Sequence, residues 1–119
     1  KRKAAGSIIG NWTSATVSTE WSYLDWPVSS ADLEKLRGVR FVFTSGSHAL
    51  EIDGVELLEN GKVIAHDRHA GLAGKPSRGN FYKLSLPKGI HANNGCSLRA
   101  RVRSVGGKSS NGKLELIKE

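Results

Sequence analysis

Glu20, Trp21, Tyr23, Asp25 and Trp26 are the densest grouping of side chains that could do chemistry in this chain. Aromatic faces stack on the apolar faces of sugar rings, while carboxylates and amides beside them bond to hydroxyls, so the grouping has the parts of a glycan platform. Large aromatics also fill cores, where each buries roughly 150–250 Å². Trp26, directly before Pro27, is expected in the core, whereas Trp21 in its polar context and Trp12 behind Asn11 are the candidate stacking residues. Glu20, Asp67, His69 and Asn80 are the candidate hydrogen-bonding partners of the same ligand.

His66-Asp67-Arg68-His69 reads as a cluster of ligands or acid/base groups. On a strand, side chains three apart point to opposite faces, so His66 and His69 cannot chelate one ion unless the strand ends between them. Asp67 and His69 can share a face. A carboxylate orienting an imidazole suits acid/base work, but a mutually satisfied pair at a strand end is the expected role. No G-x-S-x-G, H-E-x-x-H, Walker or dinucleotide motif is present, and no pair of carboxylates is marked for glycoside hydrolysis. Cys96, next to Gly95, has no identifiable base. The sequence therefore assigns no catalytic residue, no metal ligand and no cofactor. The one ion it raises is a structural Ca²⁺ at the turn 106–112, whose Asn and Ser oxygens could be joined by Asp53 or Asp67.

Arg99, Arg101 and Arg103 recur with period two, which lines them along one strand face. Together with Lys83 and Lys88 they could form a basic face for phosphates, sulfates or uronates. The competing expectation is a solvated face whose arginines pair with acids on neighbouring strands. The net charge is +7, from 18 Lys+Arg against 11 Asp+Glu, but it divides unevenly: −2 over residues 1–60 and +9 over residues 61–119. If both halves supply strands to the same sheets, these charges interleave. No aromatic pattern of a single-strand nucleic-acid reader accompanies the arginines, so nucleic acid is not the expected partner.

The elements that must hold these groups are strands. Short segments rich in β-branched and aromatic residues, separated by Gly, Asn, Ser or Pro, occur at 13–17, 23–28, 39–44, 55–59, 62–67, 80–86, 97–105 and 113–117, with a stretch at 49–52 running on into the fourth. Asn60-Gly61 between two apolar runs is the pair a type I′ hairpin turn requires, because both positions need positive φ. Phe41 and Phe43, and likewise Leu98, Ala100 and Val102, are expected to face the interior. The best helical signal, 30–36, is a short connector that Ser30 could cap and Gly38 end. About eight short strands without crossover helices predict an all-β, two-sheet antiparallel sandwich.

The chain has 119 residues, one cysteine and no methionine. That length buries enough surface for a single core without disulfides or a structural metal. The expectation is a flexible lead-in over residues 1–8 and one module over 9–119, cut from a longer polypeptide. No apolar run approaches the ~18 residues of a membrane span, and the first residues lack the apolar core of a signal peptide.

Several stretches together resemble a known module: Trp26-Pro27-Val28, then Val39 through Ile52, Val55 through Val63, Asp67 through Gly74, Asn80 through Leu84, Leu98-Arg99-Ala100 and Ser109-Ser110-Asn111-Gly112. In order and spacing they are similar to the C-terminal β-sandwich accessory module of bacterial exo-acting glycoside hydrolases such as β-N-acetylhexosaminidases. The resemblance implies a jelly-roll-like sandwich in a secreted, periplasmic or cell-surface enzyme. It also implies that the module is not itself catalytic, and either binds carbohydrate or packs on the catalytic domain of its own chain. Lys108 and Ser109 stand where the pattern tends to have an aspartate, and Pro27 stands where an aspartate commonly follows the tryptophan.

Overall fold

The computed structural model describes residues 7–84 and 96–118. Their strands are β1 (Ser7–Trp12), β2 (Ser22–Val28), β3 (Leu36–Gly46), β4 (Leu50–Glu59), β5 (Lys62–Asp67), β6 (Gly71–Ala73), β7 (Phe81–Lys83), β8 (Cys96–Ser104) and β9 (Ser110–Lys118), with one helical turn, α1 (Ser30–Leu33). Two antiparallel sheets form, in the orders β1-β9-β3-β7 and β2-β8-β4-β5, and β6 joins the second by pairing with β4 beyond the end of β5. Apart from β6, the pairing is nested. The chain doubles back between β4 and β5, and outward from that turn β3 pairs β7, β2 pairs β8 and β1 pairs β9. Because successive pairs alternate between sheets, the folded ribbon wraps into the jelly-roll form of an all-β sandwich.

The hinge of this ribbon is the expected hairpin. Asn60 has φ 53° and Gly61 φ 80°, the two positive values that a type I′ turn needs to match the strand twist. The interior follows period two along β8, where Leu98, Ala100 and Val102 are fully buried and the residues between them are not. Phe41 of β3 stands at the centre of the core, with ring centroids of Trp12, Trp26 and Tyr82 at 5.9, 6.2 and 5.7 Å. Phe43 packs at the edge of the same core, partly buried.

Several local expectations are corrected. Residues 13–17 are a turn rather than a strand: the backbone N–H groups of Thr16 and Val17 donate to the Thr13 carbonyl, and the Thr13 and Thr16 hydroxyls accept from the backbone of Ala15 and Thr13. The strand lies earlier, and β1 takes in residues 7 and 8 of the expected lead-in. The segments at 49–52 and 55–59 form one strand, β4, and residues 80–86 give only β7, with 85 and 86 outside the described residues. The connector helix is capped by Ser29, whose hydroxyl accepts from Asp32 N at 3.2 Å, and not by Ser30.

Candidate functional site

The outer face of the β2-β8-β4-β5 sheet gathers most of the chemically capable side chains. Since Trp26 is buried at 6% exposure, period two turns Tyr23 and Asp25 of β2 outward, and Tyr23 is 57% exposed. Trp21, half-buried just before β2, lies on the same side. On β8 the outward residues are Arg99, Arg101 and Arg103, and each stacks on an aromatic neighbour. The guanidinium carbon of Arg99 is 5.1 Å from the Tyr23 ring centroid, and those of Arg101 and Arg103 are 4.6 and 4.8 Å from that of Trp21.

On its other side every one of these arginines meets a carboxylate from β4. Arg103 Nε donates to Glu51 at 2.7 Å, Arg101 Nη1 to Asp53 at 2.7 Å, and Arg99 Nε and Nη2 both donate to Glu56 Oε1 at 3.1 and 2.6 Å. The second Glu56 oxygen accepts from Arg68 Nη2 at 2.7 Å. The hydrogen bonds from Arg99 first, and from Arg68 second, hold the Glu56 carboxyl below its usual range. Pairs this exposed contribute only about 0–1 kcal/mol each, so the ladder orders the side chains more than it stabilises the fold.

A register irregularity shapes the middle of the face. Between Ile52 and Gly54 the β4–β8 pairing shifts, so Ile52 and Val55 are both buried although three residues apart. Asp53 and Gly54 form the bulge, and around it lies a depression lined by Tyr23, Asp53, Gly54, Glu56, Arg68, Arg99 and Arg101. The arginine stripe was readable from its spacing. Its acidic partners were not, because they depend on the β4 register and its bulge. Tyr23 was readable in principle, since it and Trp21 share odd parity while core Trp26 is even.

The other sequence-predicted residues are dispersed. Trp12 is fully buried and its Nε1 donates to Ser110 Oγ at 3.0 Å, which removes it from the candidate stacking residues. Asn80 donates to the Phe41 carbonyl at 2.7 Å and its own carbonyl accepts from Phe41 N, so it fastens the entry to β7 to β3. Glu20 is exposed in the bend before β2, near Trp21 in the chain. Lys83 belongs to β7 in the opposite sheet, and Lys88 lies outside the described residues. The expected basic face is therefore not assembled: Lys83 is on another sheet, and the three arginines are matched by acids.

Asp67 and His69 do meet, with Asp67 Oδ1 and His69 Nδ1 2.8 Å apart. The other ring nitrogen lies 2.9 Å from the Gly79 carbonyl, the imidazole stacks on Tyr82 at 4.0 Å, and Asp67 Oδ2 accepts from Lys83 N at 2.8 Å. This is a clasp joining the segment after β5 to β7, and it leaves neither ring nitrogen for a substrate. At the turn expected to hold Ca²⁺, Asn111 Oδ1 accepts from Ser14 N and Ser109 Oγ from Ser47 N. Asp53 and Asp67 are engaged by Arg101 and by His69 with Lys83 instead. Among the described residues no three His, Cys, Asp or Glu side chains are grouped to hold a metal ion. No helix among them is long and apolar enough to cross a membrane.

Neither a protein-family model nor a characterised protein matches this chain.

Proposed function

We propose that this chain is a noncatalytic β-sandwich module that binds carbohydrate through the outer face of the β2-β8-β4-β5 sheet, as an accessory to a carbohydrate-active enzyme. The observation that carries the reading is the placement of Trp21 and Tyr23 along one sheet edge, facing outward beside a ladder of planar arginine and carboxylate groups. Flat aromatic faces suit the apolar side of a sugar ring, and planar groups on fixed strands suit pairs of vicinal hydroxyls. The engagement of both His69 nitrogens supports the noncatalytic part. The setting, a secreted, periplasmic or surface-attached bacterial glycoside hydrolase whose catalytic domain is the alternative surface for this face, rests on the resemblance alone.

The test is a panel of immobilised neutral, amino-sugar and acidic glycans with DNA and RNA controls at two salt concentrations. Retention on a glycan, reduced about tenfold by Trp21→Ala or Tyr23→Ala, is the expected result; a tenfold loss corresponds to about 1.4 kcal/mol. Wild-type retention by both variants removes this face from the site. Retention on nucleic acid alone, with the steep salt dependence of multiple phosphate contacts, moves the function to a polyanion partner.

A further inference from the structure

We infer that the depression at the β4 bulge seats a single oxyanion carried by a sugar residue, a uronate carboxylate or a sulfate ester, with the sugar ring lying against Tyr23. This rests on the carbohydrate reading above and narrows it to acidic sugars.

The floor of the seat is Gly54, where an added Cβ would stand 3.3 Å from Arg68 Cγ and press Arg68 outward by a few tenths of an ångström. Above it converge three guanidiniums from two elements, Arg99 and Arg101 of β8 and Arg68 just after β5, with Asp53 and Glu56 as the carboxylates. Donors outnumber acceptors there. A guanidinium carries five N–H bonds, and the hydrogen bonds made here among the described residues use Nη2 of Arg68, Nε and Nη2 of Arg99, and Nη1 of Arg101. Glu56, by contrast, already accepts on both oxygens. What such a site lacks is an acceptor: three cations face two anions in its lining, and the third anion, Asp25, stands beside Arg99 outside that lining, so an anionic acceptor is favoured on the side of Arg68 and Arg101.

The ion pairs also fix the guanidiniums before any ligand arrives, which lowers the ordering cost of binding. A planar fork matches the oxygen spacing of a carboxylate or sulfate. The next rung is closed, Arg103 being held by Glu51, and Asp25 stands opposite Arg99 on β2. The surroundings thus favour one oxyanion rather than a track of phosphates, and Tyr23 beside the seat supplies a surface for the ring that carries it.

Titration of the ¹⁵N-labelled protein with methyl β-glucuronide, its methyl ester, methyl β-glucoside and sodium sulfate, followed at the Gly54 amide and the arginine Nε–H signals, tests this. The glucuronide is expected to give a saturable shift, about tenfold weaker for the ester and the glucoside. Arg68→Gln and Arg101→Gln each weaken it several-fold with the amide spectrum otherwise preserved, whereas Arg40→Gln on the opposite sheet does not. Equal shifts from ester, glucoside and glucuronide overturn the oxyanion seat while leaving the carbohydrate reading standing. A sulfate response equal to that of the glucuronide and unchanged by Tyr23→Ala overturns the sugar part of the proposal. No response on this face to any sugar, at concentrations saturating a millimolar site, overturns both.

Discussion

Both ring nitrogens of His69 face acceptors, the Asp67 carboxylate at 2.8 Å and the Gly79 carbonyl at 2.9 Å, and neither acceptor has a proton to give. Only the doubly protonated imidazolium satisfies both. Burial opposes that charge, but the hydrogen bonds to Asp67 and Gly79, with the Asp67 charge, outweigh it and raise the His69 pKa above the ordinary value. For Asp67 burial pushes upward, and the bonds from His69 and from Lys83 N prevail and lower it. The raised histidine contributes stability that is complete below its unfolded value of about 6.5 and is lost as pH climbs through the folded value. The lowered aspartate contributes stability that is complete above about 3.9 and is lost as pH falls through its folded value. The clasp is therefore strongest between these limits. His69→Gln is expected to cost about 1 kcal/mol near pH 5.5, because the ring is 37% exposed and solvent screens the pair, and clearly less near pH 9. Urea unfolding of both proteins across that range checks it, and a pH-independent difference would show that His69 acts through packing on Tyr82 alone.

Two glycines, one in a turn and one in a strand, separate two physical effects that a sequence cannot distinguish. Gly61 has φ 80° and open space where a side chain would go, so replacing it affects only the backbone. Gly61→Ala is expected to cost about 1 kcal/mol, and D-alanine at the same position close to none. Gly112 of β9 is paired with Trp12 across the ladder, and an added Cβ would collide with the Trp12 ring and the Val42 carbonyl. Gly112→Ala should therefore cost about 3 kcal/mol by overpacking, and chemical denaturation of the three variants gives the comparison. The Asn60-Gly61 turn was readable because its demand is local. The core place of Trp12 was not, because it depends on Gly112, some hundred residues away in the chain, and on the irregularity between Ile8 and Gly10. The same distinction explains residues 13–17, where β-branched composition signalled a strand and threonine hydroxyls bonding to nearby backbone made a turn. It also explains the candidate site: period two gave the arginine stripe and puts Glu51 and Asp53 on one face, while Glu56 joins them only through the β4 bulge, whose one mark in the sequence is Gly54. β6 is three residues long with a glycine at its start, too short for any period to register.

The nested pairing of the described strands other than β6 sets an order of assembly. The β4–β5 hairpin closes over two residues, whereas β1 and β9 come from the two ends of the described chain. Closing a loop costs entropy that grows with its length, but once an inner pair has formed, the next outward pair has only the short connections left to close. Formation from β4–β5 outward, through β3–β7 and β2–β8 to β1–β9, is thus the cheapest sequence of events, and the many long-range pairings still make folding slow, on the order of milliseconds to seconds. A substitution acts on the folding rate where its contacts exist in the transition state and on the unfolding rate where they form later. Gly61→Ala, at the innermost turn, is accordingly expected to slow refolding by most of its equilibrium effect. Gly112→Ala, which disturbs the outermost pair, should mainly speed unfolding, with a φ-value below about 0.3. Stopped-flow tryptophan fluorescence across a denaturant series measures both arms for both variants. If Gly112→Ala instead slows refolding in proportion to its cost, the chain ends belong to the nucleus, and the sandwich closes around the β1–β9 pair before the hairpin is in place.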